Sequence, residues 1–161
     1  MYHRAVQNIL LVMIRLEESR RYPVSRESAF AYVTDTRNWP AYWPDLLGIA
    51  DAEGARWQQP GDEMRLRMRL NGRPVDLHLT LQEFVAPSLV TYRSVQAGLP
   101  DVAHERHFRE NGAAPGFEYR LTVSYEPRGG LAGALDRTLV RYGMRRAMRR
   151  TLDNLEQQLT P

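Results

Sequence analysis

The sequence of 161 residues contains no cysteine and no lysine. Without cysteine the chain can form no disulfide, thiolate metal site or iron–sulfur cluster, and it has no thiol nucleophile. Without lysine it has neither a Schiff-base amine nor the lysine of a phosphate-binding loop. All 22 basic residues are therefore arginine, and the formal net charge of +3 gives little indication of nucleic-acid binding.

Long apolar runs are also missing. The longest run, residues 9–14, falls far short of the roughly 20 residues that span a bilayer. It is short for a signal peptide as well, and no Ala-x-Ala cleavage pattern follows it, so we expect a cytoplasmic protein. The domain-like pattern begins at Ile14, which predicts an N-terminal extension over residues 1–13 and one domain over residues 14–161. Met13 is a second candidate start.

The first elements are predicted to be one strand and two short helices. Residues 14–22 have the pattern of a charged strand. Ser25 is a candidate N-cap for a short helix over residues 26–34, which carries a small apolar stripe. A second short helix or turn is predicted within residues 38–44, where a proline suits the first helical turn and another ends it.

The middle of the chain, from residue 46 to 127, alternates with a period of 2 and predicts a meander of six strands. Asn71-Gly72 is the strongest hairpin signal, and a two-residue turn there places Met68 opposite Val75. One face of this hairpin is then apolar and the other is charged. The other strands are predicted near residues 46–52, 89–96, 102–110 and 117–126.

The chain is predicted to end in an amphipathic helix over residues 131–159, about 40 Å long. The helix is the only candidate cover for the sheet, so its apolar side chains are expected to face inward. These side chains are Leu131, Leu135, Leu139, Met148, Leu152, Leu155 and Leu159.

The same helix carries what we call the arginine stripe. The stripe is interpreted as a solvated outer face, and transient contact with a membrane leaflet, with phosphates or with an acidic partner is the alternative. Nucleic acid is not an expected partner, because Tyr142 is the only aromatic residue interleaved with the arginines. The stripe consists of Arg137, Arg141, Arg145 and Arg149, with Arg146 and Arg150 beside them.

Four stretches match a known family: Tyr22-Pro23-Val24 through Phe30, Asn38-Trp39-Pro40 with Trp43-Pro44, residues 89–94, and residues 125–130. With the order of elements, they resemble the START-like (SRPBCC) helix-grip superfamily, and within it the bacterial proteins of the polyketide cyclase/dehydrase type. The resemblance covers nearly the whole chain. It implies an α+β fold, with a curved seven-stranded antiparallel sheet wrapped around the long C-terminal helix and two short helices after the first strand.

The resemblance also implies an apolar cavity between the sheet and the last helix, and Met148 and Leu152 are expected to close this cavity from the helix side. Members of the superfamily bind lipids, sterols, quinones, plant hormones or polyketides, and some catalyse cyclisation and dehydration. A small hydrophobic ligand is therefore the implied partner, no cofactor is expected, and the oligomeric state stays open.

Candidate site residues are the polar groups on the apolar face of the predicted sheet. Pairing Phe108 with Tyr119 turns Arg106 and His104 inward, and Tyr92 on the preceding strand is expected opposite Phe108. The two tryptophans of the second short helix share a face, so either both belong to the core or one lines the mouth of the cavity. The expected ligand-binding residues are Trp39, Trp43, Met68, Tyr92, Ser94, His104, Arg106, Tyr119, Leu121, Met148 and Leu152.

Arg106, His104 and Tyr92 are the catalytic candidates. A buried cation without a partner costs several kcal/mol, so Arg106 either extends to solvent or orients a carbonyl or enolate of an oxygenated ligand. His104 is either structural or a general acid or base. Arg106 and His104 are expected at the polar end of a cavity larger than about 300 Å³. No metal site is expected, because His104 and His107 face opposite sides of a strand.

Three functions stay open from the sequence. The first is binding of a polyketide, quinone or lipid in the cavity, without chemistry. The second is a polyketide aromatase/cyclase, in which Arg106, Tyr92 or Tyr42 polarises carbonyls and His104 shuttles protons. The third is a lipid or quinone chaperone that docks to membranes through the arginine stripe. No nucleophile–base pair, metal motif or cofactor fingerprint favours the enzyme over the binder.

Overall fold

Seven antiparallel strands and one long C-terminal helix organise the protein, in a computed structural model that describes residues 12–160 except 51, 71 and 113. The sheet order is β1-β7-β6-β5-β4-β3-β2, so the meander is closed at one edge by the first strand. The predicted helix-grip architecture is confirmed. The elements are β1 (Ile14–Tyr22), α1 (Arg26–Thr34), a 3₁₀ turn (Thr36–Asn38), α2 (Trp39–Tyr42), β2 (Leu46–Ile49), β3 (Glu63–Leu70), β4 (Arg73–Val85), β5 (Leu89–Val95), β6 (Val102–Glu110), β7 (Phe117–Tyr125), α3 (Gly130–Leu135), a π-helical turn (Asp136–Val140) and α4 (Arg141–Leu159).

The β3–β4 hairpin has the predicted register, with Met68 opposite Val75. The apolar side chains of β3 are buried or half-buried and its arginines are exposed, as the alternation predicts. Gly72 has a φ of 79°, which is the left-handed conformation that a two-residue hairpin turn requires. Asn71, the other predicted turn residue, lies outside the described residues.

The central strands fix the inward face of the sheet. The β6–β7 register is the predicted one, with Phe108 opposite Tyr119. The expected β5–β6 register is wrong, because Tyr92 lies opposite His104 and not opposite Phe108. The observed register differs from the expected one by an even number of residues, so every side chain keeps its predicted face.

The second half of the C-terminal helix packs on the sheet as predicted. In α4, Met148, Leu152 and Leu155 are buried. The Tyr22 hydroxyl of β1 donates a hydrogen bond to the carbonyl of Leu152 at 2.9 Å. This contact ties the edge strand to the helix and fixes the height of the helix above the sheet.

The prediction for the first half of the helix is wrong. Asp136 and Gly133 face inward instead of the leucines. Asp136 is fully buried and accepts a hydrogen bond from the Arg128 guanidinium at 2.7 Å, and a Cβ at Gly133 would collide with the Arg128 carbonyl oxygen. The extra residue of the π turn changes which side chains follow on each face. The exposed leucines are Leu131 (88%), Leu135 (51%) and Leu139 (64%).

Most of the expected N-terminal extension, residues 1–11, lies outside the described residues. Val12 and Met13 are exposed and precede β1 directly. Among the helices that the structure describes, none is long and apolar enough to cross a membrane.

Candidate ligand-binding site

A cavity of about 180 Å³ lies between the inner face of the sheet and α4. The expectation of more than about 300 Å³ is wrong. The cavity reaches the surface beside the exposed residues Gly143 and Ala147. A larger groove of about 660 Å³ at the end of α1 is lined mostly by polar and charged residues, so it does not resemble an apolar binding site. The predicted site residues that line the cavity are Trp43, Tyr92, Ser94, His104, Arg106, Leu121 and Met148.

Four predicted site residues lie elsewhere in the core: Trp39, Met68, Tyr119 and Leu152. Trp39 donates from its indole nitrogen to the carbonyl of Val33 at 3.0 Å and packs edge-on against Trp43 and Trp57. Aromatic side chains of α1 and α2 fill much of the space over the inner face. The strand alternation identified the inward face but could not identify which part of it is hollow.

Arg106 is held at the wall of the cavity by aromatic residues. It is 6% exposed, so it does not extend to solvent. Its guanidinium donates to the Tyr92 hydroxyl at 2.8 Å and to the Tyr42 hydroxyl at 3.3 Å. The same group lies 4.9 Å from the centre of the Trp43 ring, within the range of a cation–π contact.

The positive charge of Arg106 is not neutralised by any of the described residues. In the part of the chain that the structure describes, no carboxylate forms an ion pair with it, and its Nε has no hydrogen-bond partner. A guanidinium stays charged at any accessible pH. Because this charge is buried against neutral phenols, it strongly attracts an oxygen atom or a negative charge in the cavity.

The two tyrosines bound to Arg106 have different hydrogen-bonding freedom. The Tyr42 hydroxyl donates to the Val33 carbonyl at 2.8 Å, so its proton is committed. Burial raises the pKa of Tyr42 to about 12, although the charge of Arg106 opposes the shift. The Tyr92 hydroxyl accepts from Arg106, and no acceptor for its own proton occurs among the described residues. Tyr92 can therefore donate to a ligand.

His104 supports this wall but is poorly suited to move protons. Its ring stacks on the Tyr92 ring at 4.4 Å between centres, and its Nε2 lies 2.9 Å from the Ser94 hydroxyl. Burial, with a further contribution from the charge of Arg106, lowers the pKa of His104 from 6.5 to about 3. A base this weak contributes little to proton transfer near neutral pH.

The predicted site residues do not include those at the mouth and on the loop side of the cavity. Gly143 is the residue that carries a signal. A glycine inside a helix costs about 1 kcal/mol relative to alanine, so it often marks a place where a side chain is unwanted. A Cβ at Gly143 would meet nothing within 4 Å, so this glycine leaves the mouth open. The missed lining residues with inward or mouth positions include Leu70, Leu77, Gln96, Leu99, Met144 and Thr151.

No group of three or more histidine, aspartate or glutamate side chains in the described ranges could hold a metal ion. Glu105 contributes to the lining, but its carboxylate lies on the opposite face of β6, 3.0 Å from the His107 ring and 3.3 Å from the Arg15 guanidinium. The hydrogen bond from His107, together with Arg15, lowers the pKa of Glu105.

Comparison with a family model connects the cavity to known proteins. The family described as "Polyketide cyclase / dehydrase and lipid transport" matches residues 13–160. No curated protein matches the chain.

Solved structures share the fold at low sequence identity. The Zhui aromatase/cyclase from a Streptomyces species has a TM-score of 0.75 and 13% identity, over 92% of this chain and 94% of that one. A protein from Thermus thermophilus has a TM-score of 0.71 and 20% identity, over 91% of this chain and 97% of that one. A START superfamily protein from Mycobacterium smegmatis has a TM-score of 0.70 and 12% identity, over 90% and 96%.

Proposed function

Because the chain belongs to the polyketide cyclase/dehydrase and lipid transport family, we propose that its cavity binds a small hydrophobic molecule carrying an oxygen atom. The oxygen accepts hydrogen bonds from Tyr92 and from the Arg106 guanidinium, and the rest of the molecule contacts apolar walls. The protein acts as a binder or carrier in this proposal and does not transform the ligand.

The observation that carries the proposal is the buried, unpaired charge of Arg106 beside an apolar cavity. Burying a cation costs several kcal/mol, and two neutral hydroxyls offset this cost only in part. A ligand oxygen supplies a charge-assisted hydrogen bond, worth about 1.5–3 kcal/mol, where the protein supplies none. The wall is thus preorganised for an oxygenated ligand and gains little from a pure hydrocarbon.

The size of the cavity limits the range of ligands that it can hold. An apolar cavity of about 150 Å³ holds a benzene molecule, so the 180 Å³ here encloses about one aromatic ring, and the second ring of a bicyclic ligand such as 2-naphthol would lie toward the mouth beside Gly143. Met144 and Met148 line the cavity with flexible side chains that can adjust to shape. Quinone or phenol rings fit this space, and the remainder of a larger quinone, polyketide or lipid would extend past Gly143 to the surface.

An aromatase/cyclase role has weaker support. Arg106 and Tyr92 are suited to polarise a carbonyl. Cyclisation also requires a base to remove a proton, however. The histidine that faces the cavity has a pKa near 3, and the Glu105 carboxylate lies on the other face of β6, bound by His107. We therefore place binding ahead of catalysis.

The experiment is a calorimetric titration of wild type and Tyr92→Phe with 2-naphthol and with naphthalene. Tyr92→Phe removes one hydroxyl and leaves the ring stack with His104 in place. We expect affinity for 2-naphthol to fall about tenfold, the effect of one lost hydrogen bond, while affinity for naphthalene is unchanged. Tyr142→Phe, which alters an exposed ring, is the matched control.

Two binding results and one activity result would overturn the proposal. One is equal affinity of wild type and Tyr92→Phe for 2-naphthol. The other is an equal loss for both compounds, which would show that the variant damages the cavity instead of removing a specific donor. If cyclase chemistry is present, incubation with a poly-β-ketone gives a cyclised product that depends on Arg106, and the binder assignment fails.

A further inference from the structure

We infer that the first half of the C-terminal helix is a docking surface for an anionic lipid bilayer. We call this surface the docking face; it consists of Leu131, Leu135, Leu139 and Tyr142 together with Arg137, Arg141 and Arg146. The inference goes beyond ligand binding and does not depend on it.

The apolar half of the docking face is unusual for a protein surface. Leu139 is 64% exposed and Tyr142 is 67% exposed, and two further leucines of the same helical segment are at least half exposed. Single exposed leucines are ordinary, but a contiguous row on one helix marks an interaction site. Val12 and Met13 are further exposed apolar residues, and they directly precede β1. The start of β1 lies opposite Tyr125, and the Tyr125 hydroxyl donates a hydrogen bond to the Asp136 carbonyl, so these two residues lie near the same end of the sheet as the docking face.

The charge of the docking face identifies its partner. Residues 131–150 contain six arginines and a single acid, Asp136, which is buried and bound by Arg128. Arg145 and Arg149 bind Glu18, and Arg150 binds Asp45, so these three are used within the protein.

The remaining arginines of the stripe are available to a partner. Arg137, Arg141 and Arg146 form no ion pair within the described residues and are exposed. Arginines interleaved with leucines and a tyrosine on one helix are typical of helices that lie in the interface of an anionic bilayer.

A second copy of the chain fits the docking face poorly. A two-fold contact through this face would bring Arg137 and Arg141 of both copies together. The face has no exposed acid to pair with them, so the contact would collect like charges at its centre. A bilayer with anionic headgroups supplies both the negative charge and the apolar layer that the leucines need.

The docking face also adjoins the mouth of the cavity. Gly143 and Met144 line the cavity and directly follow Tyr142 in the helix. A protein docked through this face would present the mouth to the acyl layer, so an apolar ligand would pass between cavity and bilayer without crossing water.

The test is cosedimentation of the full chain with vesicles of phosphatidylcholine alone and with vesicles containing about 30% phosphatidylglycerol. We expect binding to the anionic vesicles only, weakened as salt rises from about 0.05 to about 0.3 M. Tyr142→Trp adds a reporter at the docking face. Its emission should shift to shorter wavelength on binding, and lipids brominated in the acyl chain should quench it.

Matched variants separate this surface from unspecific attraction. Arg137→Gln/Arg141→Gln should weaken vesicle binding about 30-fold, because each arginine near an anionic surface contributes about fivefold. Leu139→Ser should weaken it about tenfold. Arg65→Gln/Arg69→Gln on the exposed face of β3 removes the same charge, and Val85→Ser removes an exposed apolar side chain elsewhere; both should bind like wild type.

Three results would overturn the inference. The first is no binding to anionic vesicles, or an equal loss in the Arg65/Arg69 control. The second is a dimer at micromolar concentration that Leu139→Ser dissociates, which would assign the face to a second copy. The third is vesicle binding that appears only after deletion of residues 1–11, which would assign the face to that segment in the full chain. Ligand titration by calorimetry without vesicles remains a separate readout, so failure of docking and failure of ligand binding are distinguishable.

Discussion

The buried imidazole of His104 predicts a specific loss of stability in mild acid. Its pKa is lowered from 6.5 to about 3 in the folded protein, so it takes up a proton only when the chain unfolds. Acid therefore favours the unfolded chain: the contribution of His104 to stability is complete above about pH 6.5 and declines steadily toward pH 3. Between pH 7 and pH 5 the linkage relation gives a loss of about 2 kcal/mol from this one group.

Urea unfolding of wild type and His104→Gln at both pH values measures this loss. The amide keeps a partner for the Ser94 hydroxyl but cannot titrate. On acidification from about pH 7 to about pH 5, wild type should lose about 2 kcal/mol more than His104→Gln. Parallel pH profiles for wild type and His104→Gln would refute the argument, because His104 would then be accessible to protons in the folded state.

Three further predictions concern packing and charge. Gly143→Phe should fill the mouth of the cavity and weaken 2-naphthol binding at least tenfold. Its unfolding temperature, measured by circular dichroism, should be no lower than that of wild type, because the Cβ position is open. Leu152→Ala should cost about 2–5 kcal/mol in urea unfolding, whereas Met148→Ala, which borders the cavity, should cost about half as much; equal costs would contradict the cavity boundary. Asp136→Asn should reduce the unfolding free energy by about 1–3 kcal/mol at neutral pH. Because the Arg128 hydrogen bond lowers the pKa of Asp136, part of wild-type stability is lost as pH falls below about 4, and the variant should lose less there.

The sheet and its inward face could be predicted from the sequence. Alternation along β3 and β7 is strict, so the inward face of each strand follows from parity. Partners followed where a second signal was present: the Asn71-Gly72 turn for Met68 and Val75, and the Arg109–Glu118 charge pair for Phe108 and Tyr119. The wrong register expected between β5 and β6 does not change the face of Tyr92, because an even shift keeps each side chain on its side of the sheet. The polar cluster around Arg106 is therefore predictable from the strand patterns alone.

The helix register and the hollow part of the core could not be predicted. The inward face of α3 depends on a buried Asp136 that binds Arg128, and on the close approach of Gly133 to the backbone, neither of which appears as hydrophobic periodicity. The size and position of the cavity depend on how far Trp39 and its neighbours reach across the sheet. That distance follows from tertiary packing of side chains and not from the pattern of any one strand.

The central claim is that the charge of Arg106 binds an oxygen atom of an apolar ligand. A double-mutant cycle tests it most directly, with affinities of wild type and Arg106→Met measured by calorimetry for 2-naphthol and for naphthalene. The cycle cancels effects of the substitution on cavity shape that both compounds share. We expect a coupling free energy of about 2 kcal/mol between the guanidinium and the ligand oxygen. The affinity for naphthalene should be unchanged or higher in the variant. A coupling near zero, in a variant that folds and still binds naphthalene, would contradict the account.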